Sequence, residues 1–131
     1  MTTTQSQTLN AVGLAPILTV DDLQKSIGFY EGLGFGLEQR YEQDGKLMGV
    51  MLRAGEARLN LTQDDWAKGR DRAKGVGFSL YILTTQDIDD LAAKVKAAGV
   101  RLDRGPEDMP WGRSIAATDP DGFKVTISRE K

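Results

Sequence analysis

Apolar and polar residues follow each other along this chain in an order that recurs. Residues 14–20 form a short apolar, β-branched run that predicts a strand, and the Asp21-Asp22 pair after it can cap a helix carrying Leu23, Ile27, Tyr30 and Leu33 at helical spacing. Gly34 supplies the stop. From residue 35 to 62 the pattern is that of strands: 35–43, a tight Asp44-Gly45 turn, 46–53, a turn at Gly55-Glu56, and 57–62. The first half therefore reads βαβββ.

A polar connector, residues 63–75, carries Trp66 and the cations Lys68, Arg70, Arg72 and Lys74 ahead of a strand at 76–83. Asp87 then precedes a helix with Ile88, Leu91, Val95 and Ala98, Gly99 ends it, and strands are expected at 101–108, 113–118 and 123–128. Asp22 and Asp87, Leu23 and Ile88, Gly34 and Gly99, and Phe35 and Val100 are each 65 residues apart, while Gly45 and Gly112, and Gly55 and Gly122, are each 67 apart. A duplicated βαβββ unit accounts for that spacing. The expected fold is α+β, with modules at about 13–62 and 76–129 joined by the linker 63–75 within one domain, 13–131. Residues 1–12, rich in Thr, Gln and Ser without periodicity, read as a flexible arm.

Alternation along strands assigns side chains to faces. In the first module Leu52, Leu59 and Leu61 belong to the core side, leaving Met51, Arg58, Asn60 and Thr62 on the open side. The last hairpin turns at Asp119-Pro120-Asp121-Gly122, with Asp at i, Pro at i+1 and Gly at i+3 of a type I turn. Pairing outward from it sets Thr118 opposite Phe123 and Ile115 opposite Thr126. Val125 and Ile127 then face the helix, and Trp111, Arg113, Ile115, Ala117, Thr126 and Ser128 are expected on the open face.

Composition narrows the chemistry. The 131 residues include no histidine and no cysteine, which removes imidazole bases and ligands, thiolate metal sites, cysteine nucleophiles and disulfides. Any metal would have oxygen donors alone. With 17 basic against 19 acidic residues the chain has no broad cationic footprint for nucleic acid. No apolar run approaches the ~20 residues of a membrane span, and no apolar signal-peptide core is present, so a cytoplasmic protein without a membrane partner is expected.

Several segments together resemble the vicinal oxygen chelate superfamily, which includes glyoxalase I, extradiol dioxygenases and bleomycin-resistance proteins. They are Leu18-Thr-Val-Asp-Asp-Leu23 with Ser26 and Phe29-Tyr30, Leu33-Gly-Phe35, Gly75-Val-Gly-Phe-Ser-Leu-Tyr81, Ala97-Ala-Gly-Val100, and Pro110-Trp-Gly112 leading to Asp119-Pro-Asp-Gly122. The resemblance implies paired βαβββ modules whose mixed sheets curl around a cleft, commonly with a homodimer supplying both halves of the site. It further implies metal-ligand positions on the cleft face of four strands, usually His, Gln and Glu in the enzymes. Carried over one by one, these fall at Ala15, at Asn60, at Ser79 (with Gly77 the same-face alternative) and at Thr126. None is an imidazole or a carboxylate, so no metal, no cofactor and no catalytic residue is expected.

Among other candidates, Trp111 could stack a planar ligand or pack a hairpin or dimer seam, and Trp66 could recognise a ligand or anchor its loop. Arg113 and Arg58 could pair an anionic ligand group or form surface salt bridges. Tyr81, Asn60, Ser79 and Thr126 could orient a ligand by hydrogen bonds, while the cations from Lys68 to Lys74 read as a solvated hinge. The function expected is binding of a small, partly aromatic molecule, with resistance by sequestration as its concrete form. The alternatives are a lyase, isomerase or dioxygenase-like enzyme of the same superfamily, or an accessory protein-binding module.

Overall fold

The computed structural model describes residues 8–131; residues 1–7, the first part of the expected arm, lie outside the described residues. Module one comprises β1 (Ile17–Val20), α1 (Leu23–Leu33), β2 (Gly36–Gln43), β3 (Lys46–Ala54) and β4 (Ala57–Gln63). Module two comprises β5 (Ser79–Leu83), α2 (Ile88–Ala97), β6 (Arg104–Met109), β7 (Gly112–Thr118) and β8 (Lys124–Glu130). Each module forms one four-stranded sheet, in the orders β1-β4-β3-β2 and β5-β8-β7-β6. β1 and β4, and likewise β5 and β8, are parallel and the other neighbours antiparallel, so the sheets are mixed.

The helices begin and end where the sequence directs. Asp22 and Asp87 cap them by accepting from the Lys25 and Asp90 N–H groups at 3.2 and 3.0 Å. Gly34 closes α1 in the left-handed conformation, φ +116, which a Cβ would disfavour. Leu23, Ile27, Tyr30 and Leu33 of α1, and Ile88, Leu91 and Val95 of α2, bury one face of each helix against its sheet.

The two modules are joined by their buried polar atoms as well as by their core. Tyr30 of α1 donates its hydroxyl to Asp119 Oδ2 at 2.7 Å, and Asp119 Oδ1 accepts from the Asp121 and Phe123 N–H groups at 2.9 and 2.8 Å. A Cβ on Gly32 would meet the Val100 side chain at 2.5 Å, and one on Gly75 would lie 2.0 Å from the Gly122 carbonyl carbon. The linker thus crosses the β7–β8 turn with backbone on backbone.

In module one the faces fall as expected, since Leu52 pairs with Leu59 and Val50 with Leu61 on the core side while Met51 pairs with Asn60. Module two needs a correction. Ile115 pairs with Ile127, Ala117 with Val125 and Thr118 with Lys124, one residue away from the expected register. Gly122 is left-handed at φ +90, and Asp119 N–H donates to Phe123 O at 2.9 Å, so the loop is three residues, a type I turn closed by a glycine bulge. A one-residue slip exchanges faces. Arg113, Ile115 and Ala117 therefore lie on the helix side, and Ser114, Ala116 and Thr118 share the open face with Thr126 and Ser128. Strand ends also shift: β5 starts at Ser79 because Gly77 turns the chain at φ +70, and β6 starts at Arg104 rather than 101.

Two predictions follow from the close crossing and the buried phenol. Tyr30→Phe leaves the buried Asp119 carboxylate short of a donor and is expected to cost about 1–3 kcal/mol in urea unfolding, with an unchanged denaturant slope. Gly75→Ala, which drives a Cβ into backbone, should lower the midpoint sharply, whereas Gly28→Ala, in open space on α1, should raise stability by about 1 kcal/mol; equal midpoints for the two alanine variants would refute the crossing.

Candidate functional site

The open faces of the two sheets carry most of the expected site residues. On the first sheet Asn60 sits between Ile17 of β1 and Met51 of β3, with Arg58 beside Arg53 further along. Asn60 Oδ1 is buried and accepts from no described residue. Arg58 and Arg53 both reach Glu38, at 3.4 and 3.5 Å, so this charge is shared. Tyr41, two-fifths exposed, also lies on this face, opposite Gly49.

On the second sheet Tyr81 lies beside Thr126, and Ser79 beside Lys124. Tyr81 is 49% exposed and donates a long 3.5 Å hydrogen bond to Glu130. The corrected register adds residues that sequence reasoning missed. Arg104 Nη1 donates to Glu107 at 2.7 Å and to Ser114 Oγ at 3.0 Å. Ser114 and Ser128 face each other across β7 and β8, both fully buried, and Ser128 Oγ has no partner among the described residues. The Pro120-Asp121-Gly122 triplet was the signal for this register.

Arg113, Trp111 and Trp66 fall elsewhere. Arg113 lies on the helix side, where its guanidinium donates twice to Asp89 of α2, at 2.9 Å each, and once to Asp108 at 3.0 Å. These carboxylates raise its pKa above the usual arginine value, and Arg113 in turn lowers that of Asp89. Trp111 is a turn residue at the tip of β6–β7, 44% exposed, rather than a member of the open face. Trp66 lies in the linker, with the Arg70 guanidinium 4.5 Å and the Lys74 ammonium 5.2 Å from its ring centroid.

Lys68 and Arg70 of the linker are exposed, as expected, whereas Arg72 and Lys74 are not solvated cations. Lys74, with 4% of its side chain exposed, bridges Asp21 and Asp64, the latter at 2.8 Å, and Arg72 reaches Asp64 at 3.2 Å. Asp64 also accepts from the Trp66 N–H at 2.9 Å. Hydrogen bonds from Lys74 and the Trp66 N–H hold the Asp64 carboxylate down at about 2, below its ordinary 3.8, and hydrogen bonds to Asp21 and Asp64 raise the Lys74 ammonium.

The sequence model of the Glyoxalase/Bleomycin resistance protein/Dioxygenase superfamily matches residues 8–127. The chain belongs to this superfamily. Among solved structures, an antibiotic binding protein from Streptomyces sp. CB03234 is 26% identical with a TM-score of 0.71, over 96% of this chain and 100% of that one. A glyoxalase/bleomycin resistance protein from the same strain is 27% identical with a TM-score of 0.64, over 88% and 97%. A virulence protein from Salmonella typhimurium is 26% identical with a TM-score of 0.69, over 95% and 100%. A search of curated proteins returns no match.

Enzymatic members of the superfamily carry a divalent metal, and the equivalent positions here can be tested for fit. Asn60 lies beside Ile17, two residues along from Ala15, and Thr126 lies beside Tyr81, two residues along from Ser79. The internal repeat thereby makes Ser79 the counterpart of Ala15, and Gly77 falls outside β5. The set offers a methyl group, one amide oxygen and two neutral hydroxyls. Divalent cations demand carboxylates or imidazoles to offset dehydration, so these residues do not fit one. Among the described residues no group of three or more acidic side chains converges elsewhere.

The linker cluster gives a pH prediction. A carboxylate whose folded-state pKa is depressed stabilises above its unfolded value near 3.8 and loses that contribution as pH falls toward about 2. Melting temperature should therefore drop between about pH 4 and pH 2, and Asp64→Asn, less stable at pH 7, should show a shallower drop across the same interval. Parallel slopes would remove Asp64 from the account.

Proposed function

We propose that this chain holds a small, partly aromatic molecule against the open faces of its curled sheets, without a metal and without transforming it. The observation that carries this reading is the neutral donor set at Ala15, Asn60, Ser79 and Thr126. Such positions cannot concentrate charge on a reacting centre, yet they suit ligand contact: amide and hydroxyl groups orient a guest by hydrogen bonds, and half-exposed Tyr81 offers a flat apolar wall. Asn60 Oδ1 and Ser128 Oγ lie buried on these faces without a hydrogen-bond partner among the described residues, so polar capacity on both faces is left unused. The similarity to an antibiotic binding protein at 26% identity supports the same reading. Sequestration needs nothing more, since binding alone lowers the free concentration of a toxic compound.

Calorimetric titration of metal-stripped protein with a panel of planar aromatic compounds, bleomycin-type glycopeptides included, tests the reading. Saturable binding is expected, weakened about tenfold, or about 1.4 kcal/mol, by Tyr81→Ala. Arg113→Ala, on the helix side, should leave the affinity within about twofold. Binding that appears only when a divalent metal is added, or turnover of a panel member, would overturn it.

A further inference from the structure

The observed strand registers lay a row of side chains across the open face of the second sheet. Arg104 of β6, Ala116 of β7, Thr126 of β8 and Tyr81 of β5 are neighbours, strand by strand, and all four are partly exposed. Three strand spacings, about 14 Å of backbone, separate the guanidinium end from the phenol end. Between them the floor is low, because Ala116 carries only a methyl group.

The fold does not require this row. In the first module the same places are held by Gln39, Met51, Asn60 and Ile17, so a neutral amide stands where Arg104 does and a long side chain where Ala116 does. Arg104 is also specially held. A regular pairing after Arg104 and Ala116 would set residue 106 opposite Ser114, but β6 bulges by one residue and Glu107 takes that place. Gly105 makes the bulge possible: its φ is +89, and a Cβ there would lie 2.3 Å from the Ser114 carbonyl oxygen. Arg104 and Glu107 thereby share one face. Arg104 Nη1 is fixed between the Glu107 carboxylate at 2.7 Å and the hydroxyl of fully buried Ser114 at 3.0 Å.

That anchoring leaves the other edge of the guanidinium free. Nε and Nη2, three N–H groups in a planar cationic fork, donate to no described residue and reach solvent. Arg53 and Arg58 on the first sheet are less firmly seated, since they share Glu38 at 3.5 and 3.4 Å. Parallel donors on one guanidinium edge match the two oxygens of a carboxylate, and a site where 32% of the Arg104 side chain is exposed makes that contact stronger than in open water. We infer that the guest is an aromatic carboxylate, whose oxygens accept from Arg104 Nε and Nη2 while its rings lie over Ala116 and Thr126 against Tyr81. The inference rests on the binding reading above and adds the charge of the guest.

Calorimetric titration of metal-stripped protein with naphthoate, and with its neutral counterpart naphthamide, separates charge from stacking. The acid is expected to bind about tenfold tighter than the amide. Arg104→Gln should bring the acid down to the level of the amide and leave the amide within about twofold, which also shows that the variant is folded. Arg104→Lys, which keeps the charge and loses the paired donors, should recover only part of the difference. Equal affinities of acid and amide for the unmodified protein, or an equal loss of both in a folded Arg104→Gln protein, would overturn the inference. The first comparison needs no variant, so it decides the matter even if Arg104→Gln does not fold. Planar compounds that bind while the acid shows no advantage over the amide would remove the carboxylate and leave the binding reading standing, whereas silence across the whole panel would remove both.

Discussion

The hydrogen bond between Tyr30 and Asp119 is the constraint on which the remaining geometry rests. Its donor belongs to the helix of the first module and its acceptor to the last hairpin of the second, and both are buried. Burial and the neighbouring Asp119 carboxylate raise the Tyr30 pKa, so the phenol stays protonated and remains a donor throughout the working pH range. The same carboxylate shapes its own turn, because Oδ1 takes the Asp121 and Phe123 N–H groups. One side chain thus fixes the hairpin and docks it.

Around that bond the chain arranges further contacts of the same kind. Asp121 accepts from the Asp21 N–H at 3.0 Å and from Ser26 at 3.4 Å, and its backbone carbonyl receives Gly75. Burial raises the Asp121 pKa, partly countered by the Asp21 N–H. Lys74 then ties Asp21 to Asp64 at the end of β4. The linker is held by charge at one end and by close backbone contact at the other, which leaves the open faces free of structural duty. Buried ion pairs of this type are costly to break and add little when intact, so they favour one arrangement over others more than they add net stability.

Much of this architecture is legible in the sequence. Helix caps at Asp22 and Asp87, the stop at Gly34 and the repeat spacing are local signals, and local signals survive folding. In the first module the two-residue turn at Gly55-Glu56 made the alternation safe, and Asn60 and Arg58 were placed on the correct face. The second module failed at a single residue. Gly122 had two readings, as the last position of a type I turn or as a left-handed bulge closing a three-residue loop, and only the second fits the observed register. Arg113 therefore moved to Asp89, and Arg104, Glu107 and Ser114 came into view. The buried state of Lys74 was not legible, because its partners Asp21 and Asp64 are far from it in sequence and the linker has no periodicity to read.

Two copies of one unit are also chemically unlike where their open faces correspond, Met51 and Asn60 in one against Ala116 and Thr126 in the other. The first sheet shows Ile17, Met51 and Tyr41 around the Asn60 amide with the Arg53 and Arg58 pair beyond it, and the second shows Ser114, Thr126 and Ser128 with Arg104 and Tyr81. A symmetric scaffold would accept a guest in either of two opposed poses. Here the halves carry different side chains, and a guest touching both would have a head and a tail. Duplication built the scaffold, and different side chains at corresponding positions gave it a direction.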